Sequence, residues 1–185
     1  MRITSTMIMA AMVTVMAASA QPNLVNQRRE NQQDRIAQGM KSGQLTAGET
    51  GNLETKEAAI NQEVHTDRTL NGGKLTGQER QTVNQQQNQV SNQIYADKHN
   101  AVKQPTPTTE VGVRRQNQQS RIANGVASGK LSAGQTARLE KGETAINKEV
   151  KTDRSAKGGT LTAAQRTQVN QQQNQMSGKI YRAKH

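Results

Sequence analysis

The stretch Gly43-Gln44-Leu45-Thr46-Ala47-Gly48-Glu49 decides how this chain is read, because it occurs four times. It returns as Gly73-Lys74-Leu75-Thr76-Gly77-Gln78-Glu79, as Gly129-Lys130-Leu131-Ser132-Ala133-Gly134-Gln135, and as Gly159-Thr160-Leu161-Thr162-Ala163-Ala164-Gln165. Glycine ends a helix because it enters the left-handed region at no steric cost. Thr or Ser followed three residues later by Glu or Gln forms a capping box, which satisfies backbone N–H groups at the start of the next helix. Each motif therefore predicts a helix stop followed at once by a helix start. Gly43, Thr46 and Glu49, Gly73, Thr76 and Glu79, Gly129, Ser132 and Gln135, and Gly159, Thr162 and Gln165 are the structural caps.

Working outward, residues 28–99 and 114–185 align without a gap at an offset of 86. This is a tandem duplication. Residues 100–113, with Pro105-Thr106-Pro107, read as an extended linker that lets the two copies move against each other. Within each copy the apolar residues recur at helical spacing, as in Leu53, Ile60, Val64 and Val83, Val90, Ile94. The expected fold is all-α: two homologous three-helix units, built as up-down-up bundles or as EF-hand-like pairs. The expected helices run over 26–41, 47–70 and 77–98, with equivalents in the second copy. From Thr46 to Asn71 there is no proline, so an unbroken second helix would measure about 36 Å; Gly51 and Gly142 weaken it. The large apolar residues, including Leu70 and Tyr95, are few, which predicts a marginal bundle or one that gains contact by self-association. Gln87 lies between Val83 and Val90 and is expected to be wet.

Residues 1–20 read as a secretory signal peptide: Arg2, an apolar run over Met7–Met16, and Ala18-Ser19-Ala20 before the cut. The mature chain, 21–99 followed by the linker and 114–185, is then exported, periplasmic or secreted, with no membrane-spanning segment. There is no Cys, Phe or Trp, and only two Tyr. Thiol chemistry is excluded, and an aromatic-lined ligand pocket is not expected.

The two copies differ in charge. Residues 28–99 hold nine basic and nine acidic residues; residues 114–185 hold 14 and four, a net +10. Such asymmetry points to a polyanionic partner: an anionic glycan, a lipid head group or an acidic protein. Sequence-specific nucleic-acid binding is not expected, since there are no stacking aromatics beyond the two Tyr and no DNA-reading motif. The contact candidates are Arg114, Arg115, Arg121, Lys148, Lys151, Arg154 and Lys157. Glu54 and Glu57 read as a solvated ion-pair face, and His99 and His185 as cations at helix C-termini. No nucleophile, base and orienter set is visible, so the function expected is binding or structural, not enzymatic. A self-assembling, homo-oligomeric scaffold built through the Gln-rich third helices is a further alternative.

Lys74-Leu75-Thr76-Gly77-Gln78-Glu79 is similar to the end of an EF-hand calcium loop, where a hydrophobic residue pairs with a sister loop and a Glu closes the metal site. The resemblance implies calcium as cofactor, with Asp67, Glu79 and Asp153 as ligands. In the second copy the closing residues are Gln135 and Gln165, which keep the capping box but supply no carboxylate.

Overall fold

The computed structural model describes residues 22–104 and 107–185. The signal-peptide expectation and Pro105-Thr106 lie outside the described residues. Six helices follow in order: α1 (Pro22–Lys41), α2 (Ala47–Leu70), α3 (Gly77–His99), α4 (Glu110–Ala127), α5 (Ala133–Ala156) and α6 (Ala163–Lys184). Among the described residues there is no strand. None of these helices is long and apolar enough to cross a membrane.

The repeated motif does what its residues dictate. Thr46, Thr76, Ser132 and Thr162 each accept from the backbone N–H three residues on, and Glu49, Glu79, Gln135 and Gln165 each return a bond to the cap backbone. Gly43 and Gly129 take positive φ values of 69° and 67° in the turns before α2 and α5. The Leu of the motif then folds back: Leu45 N–H donates to the Gly39 carbonyl and Leu131 N–H to that of Gly125, each at 3.0 Å. Both leucines are buried in the core.

α3 packs on α1 and α2, and α6 packs on α4 and α5; the α1–α2 pair faces the α4–α5 pair. The linker does not hold the two halves of the chain apart. α2 lies along α5, and α1 along α4. α2 and α5 run antiparallel, since Gly51 meets Glu140 while Gly134 meets Ala58. One apolar cluster draws on all six helices.

Several expectations need correction. α4 begins at Glu110, inside the expected linker, because Thr109 caps it by accepting from Gly112 N–H and Val111 is buried. Gln87 is buried, not wet: its amide donates to the Val25 carbonyl at 2.9 Å, and Gln173 does the same to Val111. Gln32 and Gln118 donate in turn to the Gln87 and Gln173 carbonyls. Leu70 and Tyr95 are exposed; Tyr95 stacks on His99 at the end of α3 with ring centroids 4.1 Å apart. α2 and α5 are unbroken, and Gly51 and Gly142 make room for neighbours. A Cβ on Gly51 would stand 3.3 Å from that of Glu140, and one on Gly142 would strike Met176.

The Gly39–Leu45 contact gives a pair of substitutions with opposite signs. A Cβ at Gly39 would sit 2.6 Å from Leu45 Cγ and Cδ1, and Leu45 has no room to swing away. Gly39→Ala should lose about 1–2 kcal/mol, overpacking outweighing helix propensity. Gly48→Ala, which meets nothing within 4 Å, should gain up to about 1 kcal/mol. Denaturant unfolding followed by circular dichroism checks both signs.

Candidate functional site

Two features stand out, one buried and one concave. At the crossing of α2 and α5, Glu54, Glu57, Glu140 and Glu143 are fully buried, together with Thr50 and Thr136. The expectation of a solvated ion-pair face at Glu54 and Glu57 is overturned. Glu57 falls in phase with Leu53, Ile60 and Val64, and Glu143 with Leu139, Ile146 and Val150, while Glu54 and Glu140 lie within electrostatic reach of one another across the halves. Gln33 donates to Glu54 Oε2 at 3.0 Å and Gln119 to Glu140 Oε2 at 2.9 Å. Their other oxygens, and both oxygens of Glu57 and Glu143, have no hydrogen-bond partner in the protein.

Burial disfavours the charged form. It pushes Glu54 from the usual 4.5 to about 8, with the Gln33 bond opposing and Glu57 adding to the rise. Glu57 and Glu143 are each pushed to about 7 by burial, against the pull of Arg29 and Arg115 respectively. Glu140 is raised well above its usual value by burial, opposed by its bond from Gln119 and reinforced by the charges of Glu143 and Glu54.

The second feature is a cavity of about 520 Å³ between the halves. Arg115 from α4 and Lys151 and Arg154 from α5 bring three cations to it, beside Thr144, Asn147 and Ser155. Thr46, Ala47 and Gly48 at the start of α2 form the opposite wall with Gln104. The first N–H groups of a helix have no intrahelical acceptor and carry partial positive charge. No carboxylate is among the lining residues. Burial lowers the Arg115 guanidinium below its usual range, Glu143 opposes that shift and Arg154 adds to it. Arg115 also donates to Asn147 at 3.4 Å, and Arg154 to the Thr109 hydroxyl at 3.0 Å.

Of the seven contact candidates, the structure brings Arg115, Lys151 and Arg154 together. Arg114 is tied to Asn174 of α6. Arg121 donates to the Ser177 hydroxyl and, at 3.2 Å, to its carbonyl. Arg28 and Arg35 make the equivalent links to α3, so Arg114 and Arg121 are struts between helices. Lys148 and Lys157 are exposed and do not line the cavity.

Asp67 and Glu79 approach one another at the α2–α3 turn. Partial burial, then the charges of Glu79 and Glu63, push Asp67 up, whereas the Thr76 backbone N–H leads the interactions that hold Glu79 down. The Glu79 carboxylate is committed to Thr76 N–H at 2.7 Å and to the Asn71 amide at 2.8 and 2.9 Å. Asp153 belongs to α5, at the other copy of that turn. Calcium takes six to eight oxygens. Among the described residues no three acidic or histidine side chains are grouped to hold a metal ion, so this turn does not assemble that set.

Compared with known proteins, the chain matches no family model, no curated protein and no solved structure.

The buried carboxyls set a pH dependence. In the folded protein they keep their protons to higher pH than in the unfolded chain. Between about 4.5 and 8 the folded state binds more protons, and stability falls as pH rises through that window. Glu54 alone, raised from 4.5 to about 8, corresponds to roughly 4–5 kcal/mol. Thermal melts should therefore move down from pH 5 to pH 8.5, and the Glu57→Gln/Glu143→Gln variant should show a clearly flatter profile. A wild-type melt that rises over this range would contradict the burial of these carboxyls.

Proposed function

We propose that this is an exported, non-enzymatic binding protein that holds an anionic saccharide in the cavity lined by Arg115, Lys151 and Arg154. The observation that carries the reading is the meeting of three cationic side chains in one concave space with no carboxylate among its lining residues. Two guanidinium groups within electrostatic reach of one another cost energy, and an anion between them relieves it. The Arg fork suits carboxylate, sulfate or phosphate oxygens. The hydroxyls and amides of Thr46, Thr144, Asn147, Ser155 and Gln104 suit sugar hydroxyls. A concave site favours a saccharide over the flat surface of a lipid bilayer, and its volume falls within the usual range for small-ligand sites.

The surrounding architecture follows from the duplication. We infer two homologous three-helix units, 21–99 and 114–185 around a connecting segment, of which the second gained the basic side chains. Replacement of His65 by Lys151 and of Glu30 by Gln116 shifts the second copy towards anions.

Binding of a sulfated polysaccharide, followed by calorimetry at low and high salt, tests this reading. The wild-type protein should bind at low salt and lose affinity as screening grows. Lys151→Glu/Arg154→Glu should weaken binding by at least about tenfold, the loss of one charge-assisted bond being sufficient for that. An uncharged polysaccharide should not bind. Equal binding by wild type and variant would overturn the assignment of the cavity.

A further inference from the structure

The first half of the chain is neutral in sum, yet it has a basic cavity of its own. A space of about 450 Å³ is lined by Arg29 from α1 and by Asn61, His65 and Arg68 from α2, with Gly73 at its end. Each of these residues stands 86 positions before a residue of the cavity already described: Arg115, Asn147, Lys151, Arg154 and Gly159. The duplication has thus reproduced this side of the concave site and kept both arginines. Again no carboxylate is among the lining residues, although this half of the chain has nine acidic side chains. They lie elsewhere: Glu54 and Glu57 are inside the α2–α5 crossing, and Glu49 and Glu79 are spent on caps.

Arg29 occupies the same intermediate position as Arg115. It is within electrostatic reach of buried Glu57 and also lines the cavity. Glu57 has no hydrogen bond to Arg29 or to any other group in the protein, so the Arg29 guanidinium is not tied to it and remains available to a ligand.

We propose that the first half carries a second anion site, formed by Arg29, His65 and Arg68, that takes the same sulfate-, phosphate- or carboxylate-bearing class of saccharide. This rests on the reading of the Arg115–Lys151–Arg154 cavity for the class of ligand, but it stands on its own lining residues. The two cavities lie roughly 25 Å apart along α2, from its first residues to its last three turns. Two sites on one body make the protein bivalent. A chain long enough to reach both gains affinity over a short fragment through effective concentration.

The test is a titration of the full protein with sodium sulfate at constant ionic strength, read by the side-chain N–H resonances of its arginines. A set of sulfated saccharides of increasing length follows. Saturable shifts at Arg29 and Arg68 are expected, and they should persist in the Lys151→Ala/Arg154→Ala variant with little change in midpoint. Binding should then tighten at the saccharide length that spans both sites. Arg29 and Arg68 signals that stay still, or that drift linearly as they do with chloride, would overturn the second site. Still signals at Arg115 and Arg154 with saturable shifts at Arg29 and Arg68 would instead sink the assignment of the first cavity and leave this one standing.

Discussion

The structure depends on burying four carboxyl groups where α2 crosses α5. Two antiparallel helices meet there at close range, with Gly51 against Glu140 and Glu54, Glu57, Glu140 and Glu143 buried. Four buried negative charges would drive the halves of the chain apart, because desolvation of each ion costs several kcal/mol. Protonation removes that penalty. Burial outweighs the groups around them that favour the charged form: the bonds donated by Gln33 and Gln119, and the charges of Arg29 and Arg115, which lie within electrostatic reach of Glu57 and Glu143 without a hydrogen bond to either. The crossing also positions everything else. It sets the start of α2 beside the second half of α5, and so forms the cavity in which Arg115, Lys151 and Arg154 meet.

The polar groups of the core follow one rule in two chemistries. Leu53, Glu57, Ile60 and Val64 share the spacing of Val83, Gln87, Val90 and Ile94. In both runs the second position is polar and buried. The glutamines are tied to backbone carbonyls of α1 and α4, which fixes how those helices lie on α3 and α6. Glu57 and Glu143 have no such bond and lie within electrostatic reach of Arg29 and Arg115 on those same helices. A packed interior tolerates the first because its amide is satisfied. It tolerates the second only while the carboxyls keep their protons.

Much of the architecture was legible in the sequence. The four capping boxes and the glycines before them placed the starts of α2, α3, α5 and α6, since local backbone chemistry decides those points. The duplication was legible from the gapless match. What escaped was the packing between the halves, because no local pattern states which helix face meets which. Glu57 is the instructive case. It sits in phase with Leu53 and Ile60, a signal that it faces the core, yet a carboxylate beside lysines reads by default as solvated. A second signal lay in the duplication. The acidic count falls from nine to four between the copies, while Glu54 and Glu57 persist as Glu140 and Glu143. Among the basic residues, charge alone could not separate Arg114 and Arg121, which brace α4 against α6, from Arg115 and Arg154, which line a cavity. That distinction depends on tertiary geometry.

The most direct measurement of this account is the protonation state of the four buried glutamates, read from their side-chain carboxyl carbon resonances as pH is raised. Glu54, Glu57, Glu140 and Glu143 are expected to remain protonated at pH 6 and to titrate above it. If all four ionise near pH 4.5 in the folded protein, the carboxyls are hydrated, and the α2–α5 crossing described here is not how the two halves of the chain meet.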